Sequence, residues 1–151
     1  MSEHANDSLA VVNALSQSLA DSYVIRLKTQ AVHWNVEGPH FLTVHNLTEE
    51  HYEELADAID EIAERIRAIG EKAPASYAKY SDLKGIDDAE PSGDALAMVA
   101  TLRDDHQTVS KRLAGFIETA GEAGDSVSED LLINRKEFHD KAAWMLRSIA
   151  S

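Results

Sequence analysis

The run His40–Gly70, HFLTVHNLTEEHYEELADAIDEIAERIRAIG, decides the architecture. Leu47, Leu55, Ile59, Ile62, Ala63, Ile66 and Ile69 recur in it at the three- and four-residue steps of one helix face. Pro39 suits a first helical turn, and Gly70 suits the position just past a last one. The pattern predicts a helix from Pro39 or His40 to Ile69. Upstream, Glu37-Gly38-Pro39 interrupts an earlier periodic segment from Ser8 to about Val36, whose stripe is Leu9, Val12, Leu15, Leu19, Tyr23 and Leu27. Downstream, residues 71–91 hold Pro74, Gly85 and Pro91 with Tyr77, Tyr80, Leu83 and Ile86 among them, a long connection with room for one short helix. Ser92 is the expected cap of a third helix reaching Ala120, with Leu96, Val99, Leu102, Val109, Leu113, Phe116 and Ile117 inward. Gly121 and Gly124 break it. Ser126 and Glu129 fit an S-x-x-E capping box, opening a last helix to about Ile149 with Leu132, Phe138, Ala142, Leu146 and Ile149 inward.

Four long helices with almost no strand-type alternation make an all-α four-helix bundle. The link between helices 2 and 3 is too long for a hairpin, so the expected fold is a ferritin-like bundle whose long crossover carries a short helix. The 151 residues form one domain, 8–151, behind a short acidic tail, 1–7. The 44% hydrophobic content supplies a core. With no cysteine, disulfides, thiolate metal sites and cysteine nucleophiles are excluded. No apolar run approaches the roughly 20 residues of a membrane span, and no signal-peptide pattern opens the chain, so a cytoplasmic protein without membrane association is expected. The net charge of −13 repels nucleic acid and attracts cations.

Helix 2 carries the informative polar spacing. His45 and Glu49 are four apart, as are Asp60 and Glu64. On a helical wheel Glu49, Asp60 and Glu64 lie about 40°, 60° and 100° from His45, so all four share one side. Histidine and carboxylate together suit iron or another divalent metal. Glu49 and Asp60, however, are about 16 Å apart along the axis, too far to close on one ion within one chain. Two antiparallel copies of the helix about a two-fold axis would face His45 and Glu49 of one with Asp60 and Glu64 of the other, making two sites per dimer. His33 ends the first helix just before the turn and can fold back beside His45. The same acids also read as an ordinary solvated face, since Glu49–Glu53 and Asp57–Glu61 repeat the spacing; spacing alone leaves both readings open. Elsewhere, His40 and His51 are expected at solvent or a subunit contact, His106 and His139 in structural roles, and Trp34 and Trp144 in packing. An intrachain di-iron site needs E-x-x-H pairs on helices, and Glu37-Gly38-Pro39-His40 is a poor helical pair.

The run from Lys28 to Phe41, KTQAVHWNVEGPHF, resembles the first motif of the Dps family, the mini-ferritins named for DNA protection in starved cells. His45, Glu49, Asp60 and Ala63-Glu64-Arg65 continue the resemblance, as does Asp140-Lys141 before Trp144, so that it spans roughly Leu9 to Ile149. It implies a hollow homo-dodecamer that oxidises ferrous iron at sites shared by two-fold-related subunits. The implied ligands are His33, His45 and Glu49 of one chain with Asp60 and Glu64 of the other; some relatives have aspartate where this chain has Glu49. The implied oxidant is hydrogen peroxide, less readily dioxygen, with ferric mineral stored inside the shell and the cell protected from oxidative damage. Asp125 and Asp130 fall near the family's three-fold pore, with Glu129 adjacent, although charge at a helix N-terminus explains the same residues. Trp34 is implied as an interceptor of stray oxidising equivalents. The alternative is a nucleoid-associated protein in which DNA compaction dominates. Met1–Asp7 has no Lys or Arg and Arg147 alone follows Trp144, so DNA binding is expected to be weak or absent.

Overall fold

The computed structural model describes residues 3–151, without the side chain of Glu3. Among them lie five helices: α1 (Glu3–Asn35), α2 (Phe41–Ile69), α3 (Tyr77–Leu83), α4 (Ala95–Glu122) and α5 (Ser126–Ala150). α1 packs along α2 and α4 along α5, α1 also packs on α4, and α3 lies on α1. This is the expected all-α bundle with a long crossover bearing one short helix.

The helix ends follow from local chemistry. Gly70 takes φ 115°, donating its N–H to Arg67 while Glu71 N–H reaches back to Ile66, which satisfies carbonyls the helix would otherwise orphan. Three ends differ from expectation. α1 begins at Glu3, so Glu3–Asp7 extends the helix; Met1 and Ser2, the rest of the expected tail, lie outside the described residues. α4 is capped by Asp94, whose carboxylate accepts from Ala97 N–H at 2.9 Å, and not by Ser92; it runs through Gly121 to Glu122. α5 is capped by Asp125 and not by Ser126. Aspartate caps as well as serine does, so pattern alone does not choose between neighbours.

The crossover is held by buried charge. Asp21, fully buried on α1, accepts from Gly85 N–H at 2.7 Å and from Arg112 of α4 at 2.8 Å. A Cβ on Gly85 would stand 2.1 Å from the Arg112 side chain, so a larger residue there would displace the guanidinium from Asp21. Lys28, buried on α1, donates to the Asp87 carbonyl at 3.0 Å and lies 2.8 Å from Asp105 of α4. Tyr80 of α3 stacks on Tyr23 at 4.6 Å and donates its hydroxyl to Pro74. Removing one partner of such a buried pair typically costs about 3–5 kcal/mol.

Two apolar clusters fill the bundle. One gathers Leu15, Leu19, Ile25, Leu55, Ile62, Ile66, Leu113 and Leu132, the other Val32, Val36, Val44, Leu47, Val99, Leu102 and Leu146. Leu9, Leu27 and Leu96, expected inward, are exposed. On α1 the cause is drift: two four-residue steps from Leu19 to Leu27 rotate the stripe by about 80°, and Ile25, Thr29 and Val32 take the core positions instead. Trp34 and Trp144, expected to pack, stand outward on the single chain.

Between the clusters runs a polar layer that includes His51, His106, Arg135 and His139, all buried. His51 is therefore not at the surface; it continues the Leu47–Leu55 stripe at four-residue steps. His106 and His139 join Nδ1 to Nδ1 at 2.8 Å, so one ring donates and the other accepts. His51 and Phe138 pack edge-on against them. Arg135 is held by Glu54 through two bonds of 2.6 and 2.9 Å and lies over Phe138. Burial lowers His51 to about 4. Burial first, then neighbouring imidazoles and Arg135, hold His106 and His139 well below the ordinary value.

The unfolded chain takes up protons on these histidines below about pH 6.5, whereas folded His51 resists until about 4. Stability present at neutral pH is therefore lost as pH falls through that window, on the order of 3 kcal/mol from His51 alone. Urea unfolding followed from about pH 7.5 down to about pH 5 is expected to show this loss, and replacing His106 and His139 together by Leu is expected to shrink it. An equal loss in that variant would contradict the assignment.

Candidate metal centre

The site forms where α1 ends and α2 begins. Gly38, at φ 98°, turns the chain, and Phe41 N–H bonds back to its carbonyl at 3.0 Å. The tight return lays His45 over His33, with ring centroids 3.8 Å apart and planes 14° from parallel. Each ring is tied to the other residue's backbone. His33 Nδ1–H donates to the His45 carbonyl at 2.7 Å, and His45 Nδ1–H donates to the His33 carbonyl at 2.8 Å. The second bond also meets a need of the helix, because the last four carbonyls of α1 lack intrahelical donors.

This reciprocal clasp fixes the chemistry of both rings. A carbonyl only accepts, so both Nδ1 atoms carry hydrogen. In the neutral ring the lone pair then resides on Nε2, which is free to ligate, and the Nδ1 bond holds the ring's orientation. Thr48, fully buried, donates its hydroxyl to the Val44 carbonyl at 2.7 Å and lies 3.3 Å from His33 Nδ1. Phe41 stacks on His45 at 4.9 Å, and Tyr52 meets His33 edge-on at 5.1 Å. His33 is buried and His45 half-buried.

Of the residues singled out from the sequence, the fold thus brings His33 and His45 together. Glu49 stands exposed one turn beyond His45, and Asp60 and Glu64 are exposed farther along α2. Among the described residues, no three histidines or acids converge to hold a metal ion. Asp60 instead borders a groove with Tyr23, Arg26 and Tyr80. Asp125 is committed within the chain: it accepts from Ser128 N–H at 3.0 Å, Ser128 Oγ at 2.6 Å and Arg65 at 2.9 Å. Burial pushes its carboxyl up, but the Ser128 and Arg65 contacts outweigh that and hold it below the usual range. Asp130 is exposed on α5 and Glu129 half-buried. Tyr52 belongs to none of the ligand spacings, although it falls seven residues after His45 and about 20° from it on the wheel. That position was the available signal.

The chain is similar to known proteins along most of its length. A family profile for the ferritin-like domain matches residues 12–151. An uncharacterized low temperature-induced protein of Nostoc sp. is 42% identical over 142 residues, covering 91% of this chain and 78% of that protein. DNA protection during starvation protein 2 of Bacillus anthracis is 38% identical, covering 91% and 94%. The crystal structure of Dps from Staphylococcus aureus superimposes with a TM-score of 0.89 at 38% identity, covering 93% and 95%. With the bundle, the crossover helix and this likeness in agreement, the chain belongs to the Dps mini-ferritins of the ferritin-like superfamily.

Proposed function

We propose that this protein is a ferroxidase that stores iron in a hollow homo-dodecamer and oxidises Fe(II), preferentially with hydrogen peroxide, at sites shared between two-fold-related subunits. The observation that carries the reading is the His33–His45 clasp. It presents two imidazole Nε2 atoms at one end of α2, and among the described residues no acids of the same chain close around them. In this proposal His33, His45 and Glu49 bind ferrous iron from one subunit and Asp60 and Glu64 from the other. The carboxylates neutralise the cation, and the clasp keeps the imidazoles in the ligating tautomer. Two ferrous ions supply two electrons; with two protons, the O–O bond of peroxide is cleaved to two waters and no hydroxyl radical leaves. The ferric product hydrolyses and accumulates inside the shell. Such chemistry belongs in the cytoplasm and protects it from oxidative damage.

In the assembled shell, Asp130 is the pore carboxylate that draws cations inward, with Glu129 beside it. Asp125 contributes there chiefly by capping α5, because Arg65 and Ser128 already engage it. DNA plays little part. The chain carries −13, and Met1–Asp7 has no Lys or Arg to neutralise phosphates.

Changing Asp60 and Glu64 together to Ala is expected to slow peroxide-driven iron oxidation by roughly 100-fold, at least the loss that follows removal of an outer-shell partner, while the helical content persists because both residues face outward. An unchanged rate would overturn the assigned centre. In gel retardation at physiological salt without added divalent metal, duplex DNA is expected to migrate freely. Strong retardation would favour the nucleoid-binding alternative.

A further inference from the structure

The two histidines are not held alike, and the difference comes from Thr48. His33 Nδ1–H donates to the His45 carbonyl at 2.7 Å and also lies 3.3 Å from Thr48 Oγ1. Among the described residues, the bond of His45 Nδ1–H is to the His33 carbonyl, at 2.8 Å. The Thr48 hydroxyl has one hydrogen, and two carbonyls compete for it: Val44 at 2.7 Å and His45 at 3.1 Å. With that hydrogen spent, and with His33 Nδ1 already carrying one of its own, Thr48 Oγ1 is the acceptor. The His33 N–H is therefore shared between a carbonyl and a hydroxyl. Packing alone has no use for this oxygen. Thr48 is fully buried, among the inward residues Val44, Leu47, His51 and Leu55 of α2. Valine has nearly the same shape and no polar atom to satisfy, and a threonine that bonds back four residues slightly destabilises its helix.

We infer, resting on the ferroxidase reading above, that Thr48 is a positioning residue: its hydroxyl fixes the rotation of the His33 ring and so sets how tightly the shared site takes ferrous iron. A half-turn of the ring about Cβ–Cγ exchanges Nδ1 with Cδ2 and Nε2 with Cε1. In the turned ring a C–H faces both the His45 carbonyl and the Thr48 hydroxyl, and a carbon stands where the ligating Nε2 was. Two acceptors on one N–H oppose that turn more strongly than one does. An outer-shell bond of this kind orients the ligand before the metal arrives. His45 is half-buried and tied by a single bond, which leaves it more freedom to adjust. His33 is thus the fixed ligand of the pair and His45 the adaptable one.

The test compares two variants of the full-length assembled protein. Thr48→Val keeps the shape and removes the hydroxyl; Thr48→Ser keeps the hydroxyl and removes a methyl group. Cobalt(II) binding, titrated by visible absorption, is expected to weaken by about 10- to 100-fold in Thr48→Val, the range for loss of an outer-shell partner, and to stay near the unaltered value in Thr48→Ser. Thermal unfolding is expected to rank them the other way, with Thr48→Ser the less stable, so a packing role and a positioning role give opposite orders. A further readout needs neither metal nor Thr48→Val. In sedimented metal-free protein labelled with 15N-histidine and 13C-threonine, solid-state NMR is expected to show His33 Nδ1 protonated and in contact with Thr48, the contact being lost in Thr48→Ser, which has no threonine there. Absence of that contact, cobalt bound as tightly by Thr48→Val as by the unaltered protein, or cobalt bound as weakly by Thr48→Ser as by Thr48→Val would each overturn the role of Thr48 and leave the ferroxidase standing. An unaltered protein that neither binds cobalt nor oxidises iron would overturn both.

Discussion

A helix is a rigid ruler. Along α2 it holds Glu49 and Asp60 about 16 Å apart, and no rotamer change closes that gap around a single ion. In the proposed ferroxidase the chain therefore carries two half-sites: a histidine end, where α1 turns into α2, and an acid end about four to five turns past His45. The fold makes no attempt to join them, and no metal-holding cluster forms among the described residues. In that proposal a site is complete only when a second copy supplies the other half, which ties iron chemistry to assembly. The outward Trp34, Leu27 and Tyr77 border a groove between α1 and α3 on the single chain, apolar surface that a monomer has no reason to keep.

The histidine end is built with care that the acid end lacks. Its two rings are locked by backbone carbonyls, one of which is an orphan of the α1 terminus, and Thr48 is buried beneath them. Rigid imidazoles lose little entropy on binding metal. The acids are solvent-exposed and free to adjust. Elsewhere the bundle accepts buried polar groups as the means of fixing its topology. Asp21, Arg112, Lys28 and Asp105 pin the crossover to α1 and α4, and the His51–His106–His139 layer divides the core. In the histidine layer, His51 Nδ1, His106 Nε2 and Arg135 Nε have no hydrogen-bond partner among the described residues, so that layer is not fully satisfied within one chain.

Much of this was legible in the sequence, and the rest was hidden for identifiable reasons. Helix number, the crossover and its short helix follow from glycine, proline and apolar spacing, which are local signals. Cap positions slipped by one or two residues because Asp94 and Asp125 compete equally with Ser92 and Ser126. Leu27 was misplaced because a strict four-residue step drifts off the helical period. The polarity of His51 points to solvent or a subunit contact, although its place between Leu47 and Leu55 says core. The pairing of His33 with His45 was legible from the turn at Gly38-Pro39. Their tautomer was not, because it depends on carbonyl positions that only the folded turn sets. In the proposed ferroxidase the partner half of the site belongs to another chain, beyond what one chain's packing displays.

The central claim is that each iron site takes its ligands from two chains, and mixed assemblies test it directly. One parent carries His33→Ala and His45→Ala, the other Asp60→Ala and Glu64→Ala. Neither parent alone has a complete site. If the site is shared, unfolding the two together and refolding them as mixed assemblies restores peroxide-driven iron oxidation, because a mixed pair regains one of its two sites. If mixing restores nothing while mixed assemblies demonstrably form, the site does not lie between chains and the account fails.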